Sequence, residues 1–185
     1  MSSNTVKHLP NILTMLRVLM IPVFIVLFLL PSNSGILLSL IVFIAASITD
    51  ALDGYIARRY NAISSFGKLM DPLADKLLTI AAFVMLTVYT ANIAFAICLI
   101  VIISRELAIT GFRVLAVEKG VLIAADGFGK VKTVLQMLWI IFALLYIWQG
   151  APYNILLLEI SVAVVALVTA LSGVNYIWQN RKVFL

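Results

Sequence analysis

Apolar runs of spanning length, separated by short polar breaks, recur from one end of the chain to the other. A membrane helix needs about 20 residues at a rise of about 1.5 Å each. The breaks carry the expected punctuation, since PSNSG at 31–35, YTAN at 89–92 and QGAPYN at 149–154 combine Gly, Pro, Asn and Ser. The pattern predicts six helices, at about 12–30, 36–60, 69–90, 92–118, 130–149 and 153–179. One stretch needs a decision, because the 27 residues from Leu77 to Ile103 carry no charge. As a single helix they would extend about 40 Å, against a hydrocarbon core of about 30 Å. A hairpin turning at Thr90–Asn92 divides them into limbs of roughly 20 Å each.

The basic residues favour the hairpin. Lys and Arg number 13 against 8 Asp and Glu, a formal net charge of +5. With a turn at 89–92, the connections at 31–35, 89–92 and 149–152 contain no Lys or Arg, and all 13 bases fall towards the other side. That asymmetry predicts an all-α, polytopic membrane protein of six transmembrane helices with both termini in the cytoplasm. Composition agrees, for 64% hydrophobic and 11% charged residues with a mean hydropathy of +1.16 exclude an ordinary soluble domain. Six spans leave almost nothing over, so 1–185 is expected to be one integral membrane domain. No small-residue cleavage site follows MSSNTVKHLPN, which predicts an uncleaved first helix. Cys98 is the one cysteine, so there is no internal disulfide.

Residues 50–75, DALDGYIARRYNAISSFGKLMDPLAD, sit oddly in such a chain. At 100° per residue Asp50, Asp53 and Ala57 share a helix face, with Gly54 nearby, and small residues there admit a close neighbour or ligand. Asp71 and Asp75 share a face if their helix has begun by then; Pro72 fits best in its first turn, with a later, kinking position the alternative. Four carboxylates cannot all stay ionised in a poor dielectric without protons or cations. Carboxylate oxygens select hard ions such as Mg²⁺, Mn²⁺ or Ca²⁺. His8 is the single histidine, which excludes a His-rich zinc site. Mg²⁺ usually completes its shell with phosphate oxygens, and paired metals stabilise displacement at phosphorus.

The spacing Asp50-x-x-Asp53-Gly54-x-x-Ala57-Arg58, eight residues, Gly67-x-x-x-Asp71-x-x-x-Asp75 resembles the signature of the CDP-alcohol phosphatidyltransferases, with every position filled. LPNILTMLR at 9–17, ISRELAITGFR at 103–113 and GKVKT at 129–133 resemble the phosphatidylglycerophosphate synthase branch of that family. The resemblance implies a six-helix, dimeric membrane enzyme whose active site opens to the cytoplasm, with CDP-diacylglycerol as donor. It also implies Mg²⁺ or Mn²⁺, two ions per site. Carried over, Asp50, Asp53, Asp71 and Asp75 are the metal-site acids and Asp75 the base. Gly54 and Ala57 make room for the cytidine, Arg58 meets the donor phosphates, and Gly67 allows close packing. Membrane lipids and a second copy of the chain are expected partners; nucleic acid is not.

On this branch the acceptor is glycerol 3-phosphate, whose dianion needs its own cations. Arg105 and Arg113, two turns apart in the fourth helix, and Lys130 and Lys132, opening the fifth, are the candidates. Asn11, Thr14 and Arg17 recur at helical spacing in the first helix and are candidates for the same pocket, with helix-packing contacts the competing role. Glu106 is expected to neutralise a neighbouring base. Glu159 has no evident partner and reads as protonated or interfacial. Of the aromatics Tyr89, Trp139, Tyr146, Trp148, Tyr153, Tyr176 and Trp178, most are expected near membrane boundaries, and the sixth helix carries no motif. Gly127 and Gly129 are expected to relax the connection into the fifth helix. Two competing readings are a cation- or proton-coupled transporter, disfavoured by the one-sided acids and the lack of repeats, and a sister enzyme making cardiolipin, phosphatidylinositol phosphate or phosphatidylserine.

Overall fold

A computed structural model describes residues 3–60, 65–121, 123, 127–150 and 154–181, with side chains described for those numbered 15–49 and from 76 onward. Among the described residues the chain is all-helical, with α1 Ser3–Phe28, α2 Asn33–Tyr60, α3 Ser65–Thr90, α4 Ile93–Glu118, α5 Gly127–Trp148 and α6 Ile155–Asn180. Three of them, α4, α5 and α6, are long and apolar enough to cross a membrane. In α1, α2 and α3 the apolar stretches among the described residues are Met15–Phe28, Asn33–Thr49 and Lys76–Thr90. The break expected at Thr90–Asn92 is present: α3 stops at Thr90, Ala91 takes a positive φ of 48°, and α4 starts at Ile93. Two starts differ from expectation. The first helix begins at Ser3 and runs through Pro10, and α3 begins at Ser65, so Pro72 takes the later of its two expected positions, inside the helix.

The chain forms two compact units. The first comprises 1–85 and 141–152, and in it α1 packs on α2. Phe24, Phe28, Leu40 and Phe43 are buried at three- and four-residue spacing. The Phe24 ring lies 6.1 Å from Phe28 and 6.2 Å from Phe43. Ser32 starts α2 by accepting a bond from the Gly35 N–H at 3.2 Å. Gly35 is pressed onto the end of α1, since a Cβ there would stand 2.6 Å from the Leu27 carbonyl oxygen and 2.8 Å from the Leu30 Cβ.

The second unit comprises 86–140 and 153–185, and in it α4 packs on α6. Asn92 caps α4 by accepting from the Ala94 N–H at 2.7 Å, and its amide also donates to the Glu159 carboxylate. Glu159 therefore has a partner, contrary to expectation, supplied by the cap of a neighbouring helix. At the other end of α4, Val121 N–H bonds Ala116 O at 2.9 Å and Gly120 N–H bonds Val117 O at 2.9 Å. With Gly120 at φ 76°, this is a Schellman stop that a side chain would strain. The buried stripe of α4 runs Phe95, Cys98, Ile102, Glu106, Ile109, Ala116, and that of α6 runs Leu158, Val162, Val165, Ala166, Thr169, Ser172, Gly173, Tyr176. Both stripes are apolar at the end near Asn92; that of α6 turns polar and small from Thr169 onward, and that of α4 carries one charged member, Glu106, ahead of Ile109 and Ala116. The remaining faces expose large apolar side chains such as Ile100, Leu107, Leu167, Leu171 and Trp178, a surface suited to lipid and not to water.

Hydroxyl groups along the helices bond the carbonyl three or four residues earlier: Ser39 to Ile36, Ser47 to Phe43, Thr49 to Ala46, Thr110 to Glu106 and Ser172 to Thr169. In each the hydroxyl donates to a carbonyl of its own helix.

Gly35→Ala tests the α1–α2 turn. Alanine gains about 1 kcal/mol of helix propensity, but overpacking against a backbone oxygen costs about 1–3 kcal/mol. The melting temperature in detergent is expected to fall by several degrees; an unchanged or higher value rejects the contact.

Candidate active site

Helical backbone is continuous through the acid-rich stretch on both sides of residues 61–64. Positions 50, 53, 54, 57 and 58 lie in the second half of α2, and positions 67, 71 and 75 in the first half of α3. The register therefore sets Asp50 one turn from Asp53, and Asp71 one turn from Asp75. This settles that the helix has begun before Asp71. The side chains of all eight residues lie outside those described, as do those of Asn11 and Thr14. Two carboxylates a turn apart on each of two helices, with oxygen donors only, fit a hard divalent cation such as Mg²⁺ or Mn²⁺. Arg17 is described and is fully buried.

The second group of candidates lies in the second unit and has a defined geometry. Lys132, 5% exposed, donates to Glu106 Oε1. Arg105 Nη1 reaches the same oxygen at 3.4 Å. Glu106 thus holds two cations from two helices, the neutralising role expected of it. Lys132 also donates to Gln136 Oε1 at 3.3 Å, Gln136 Nε2 donates to Thr169 Oγ1 at 3.0 Å, and Thr169 donates to Val165 O at 2.7 Å. The chain of bonds crosses α4, α5 and α6, and its members are 9% exposed or less, Arg105 by its side chain.

Arg105 has one further property. Its side chain is nine-tenths buried, yet its Nε has no hydrogen-bond partner among the described residues. A buried guanidinium nitrogen left without an acceptor costs about 1–3 kcal/mol or more, a cost that an incoming anion would remove. The side chain lies along Gly173, where a Cβ would stand 2.8 Å from Arg105 Cγ. Two turns on, Arg113 Nε donates to the Tyr176 hydroxyl at 2.9 Å, and its guanidinium carbon sits 5.2 Å from the centre of that ring.

The structure therefore brings Arg105 and Lys132 to one carboxylate and puts Arg113 on the same α4–α6 seam. It does not bring Lys130 to them: Lys130 is exposed, and two residues along a helix amount to about 200° of rotation. Gln136, Thr169 and Tyr176 were missed by the sequence reading. The signal available was the polar and small run Thr169, Ser172, Gly173, Tyr176 at three- and four-residue spacing in an otherwise apolar helix. Tyr176 is buried against Arg113, with Phe112 edge-on at 6.1 Å. Trp139 is likewise inside, donating to Ser161 at 2.9 Å. Each directs its polar atom to a partner inside the protein. Gly127 and Gly129 belong to the first turn of α5 and not to the connection before it.

Comparison with known proteins gives a consistent picture. The family pattern of the CDP-alcohol phosphatidyltransferases matches residues 7–173. Among curated relatives, the CDP-diacylglycerol–glycerol-3-phosphate 3-phosphatidyltransferase of Bacillus subtilis is 37% identical over 188 residues, covering 94% of this chain and 95% of the relative. Its namesake from Rickettsia felis is 37% identical over 183 residues, covering 96% and 98%. That of Haemophilus influenzae is 35% identical over 172 residues, covering 92% and 91%.

The Glu106 bridge is testable without an activity assay. Glu106→Ala removes the carboxylate that Lys132 and Arg105 share and is expected to cost about 3–5 kcal/mol of stability. Adding Lys132→Met should recover most of the loss in detergent melts; a double variant as unstable as the single one would reject the pairing.

Proposed function

The chain belongs to the CDP-alcohol phosphatidyltransferase family, and from that membership we propose that it transfers the phosphatidyl group of CDP-diacylglycerol to glycerol 3-phosphate, giving phosphatidylglycerophosphate and CMP. One observation carries the reading: the eight-residue pattern from Asp50 to Asp75 is filled at every position within a family match spanning 7–173. The relatives' shared name supports the acceptor, over nearly the whole length of both chains.

Asp50, Asp53, Asp71 and Asp75 are the residues that hold Mg²⁺ or Mn²⁺, two ions per site. When bound, the cations neutralise charge that develops on the diphosphate. Arg58 meets the donor phosphates, and Gly54, Ala57 and Gly67 keep the backbone approachable for the nucleotide and for packing. Asp75 accepts the proton of the acceptor hydroxyl as that oxygen bonds the lipid-side phosphorus, and the bond from that phosphorus to CMP breaks. Arg105, Arg113 and Lys132 hold the acceptor's phosphate dianion, and the partnerless Arg105 Nε supports that assignment. Lys130, exposed, serves the membrane surface or the approach of anions.

All six helices span the membrane, the termini and the active site face the cytoplasm of the cell membrane, and the enzyme is a homodimer. The lack of Lys and Arg in three alternate connections supports that orientation. A lipid donor and a water-soluble acceptor meet where such a site opens, at the interface.

Purified protein in detergent, given CDP-diacylglycerol, glycerol 3-phosphate and Mg²⁺, is expected to release CMP and form phosphatidylglycerophosphate, with no sealed compartment required. Chelation of divalent ions should abolish turnover. Asp75→Asn should lower kcat by about a hundredfold or more, the scale of general-base catalysis. Full activity in chelator rejects the metal site, near-normal turnover of the variant removes Asp75 from the base role, and product formed only with another acceptor rejects the acceptor.

A further inference from the structure

Helix α6 is the one span with no recognisable motif, yet the cations of α4 and α5 rest on it. Three of its residues, Thr169, Gly173 and Tyr176, lie on one stripe at spacings of four and three. Each is tied to a different base. Tyr176 accepts from Arg113 Nε and lies beside its guanidinium. Gly173 provides the space along which Arg105 runs. Thr169 accepts from Gln136 Nε2, which turns the Gln136 oxygen towards Lys132.

We infer that α6 is the positioning wall of the acceptor-phosphate clamp, with Tyr176, Gly173 and Thr169 acting through Arg113, Arg105 and Lys132 and not on the substrate. This rests on the assignment of those cations to glycerol 3-phosphate. Geometry favours positioning over packing alone. A guanidinium is a planar fork with five donors, and a single bond at Nε leaves the four donors of the terminal nitrogens unspent on the tyrosine. Among the described residues Arg113 makes no other hydrogen bond, so those nitrogens stay available to an anion. The arrangement at Arg105 is complementary: Nη1 goes to Glu106 while the buried Nε is without an acceptor. Gly173 matters for the same reason, since a methyl group there would meet Arg105 Cγ and push the guanidinium out of register. Long flexible cations held at the stem lose little further entropy when an anion arrives, so affinity is concentrated in preorganisation.

The test uses full-length purified enzyme with the two substrates varied in turn. Tyr176→Phe keeps the ring and removes one hydroxyl. It is expected to raise the KM for glycerol 3-phosphate roughly tenfold, the scale of one hydrogen bond to a charged group. The values of kcat and of the KM for CDP-diacylglycerol should stay within about twofold. Made on top of Arg113→Lys, the same substitution should add nothing, because the hydroxyl acts only through that guanidinium. Thr169→Val is near-isosteric and carries the test independently if the tyrosine variant misfolds, with a smaller rise in the same KM alone. An unchanged KM for glycerol 3-phosphate, an equal rise for both substrates, or additivity with Arg113→Lys overturns the positioning role. A parent enzyme that makes phospholipid only from an acceptor without a phosphate overturns the clamp assignment instead, so the two failures are distinct.

Discussion

An ammonium group buried among apolar helices has to be neutralised where it stands, and at Lys132 the neutralising group is Glu106. Uncompensated, a charge at such a depth costs several kcal/mol, more than any single apolar contact in the α4–α6 seam returns. The bridge therefore constrains everything near it. It ties α5 to α4, draws Arg105 to the same oxygen, and passes through Gln136 to Thr169 on α6. An apolar seam is permissive about rotation and sliding of one helix against another, because Leu-against-Val packing has many near-equivalent solutions. A buried network with fixed donors and acceptors has few. Packing holds the α4–α6 pair together, and the charges decide which residues meet.

The number and order of helices were legible because a span that is apolar nearly all round needs no partner to be recognised. Turns were legible for a related reason. Asn92, Gly120 and Gly150 stand at helix boundaries where only a side-chain cap or a left-handed backbone serves, with φ 76° at Gly120 and 59° at Gly150. Helix starts were less so. The first helix starts well before the expected residue 12 and runs through Pro10, and α3 starts early enough to put Pro72 in its interior. The segments before both prolines carry polar and charged residues, so apolar patterning gives no signal there.

Legibility of the site divided by chemistry. Carboxylates at a fixed spacing announce themselves in a greasy sequence, since they are too costly to be there by chance. The supporting residues do not. Thr169, Gly173 and Tyr176 are ordinary occupants of a membrane helix, and periodicity cannot say which face meets α4 when lipid and protein both accept apolar side chains. Tyr176 reads in the sequence as one more aromatic near a helix end, and only the Arg113 contact singles it out. Lys130 and Lys132 show the limit from the other side. The two lysines look alike as neighbours in sequence, but one is buried and the other exposed.

The hydroxyls that bond back along their own helices have a further implication. A serine that has given its proton to the carbonyl a turn earlier, as Ser39, Ser47 and Ser172 have, has none left to offer sideways. Such a hydroxyl can join another helix only as an acceptor, as Thr169 does for Gln136 and Ser161 for Trp139. Among the described residues these contacts between α5 and α6 therefore need an amide or indole donor on the other side, and mild detergents that leave such bonds dry should preserve the protein where harsher ones that wet them would not.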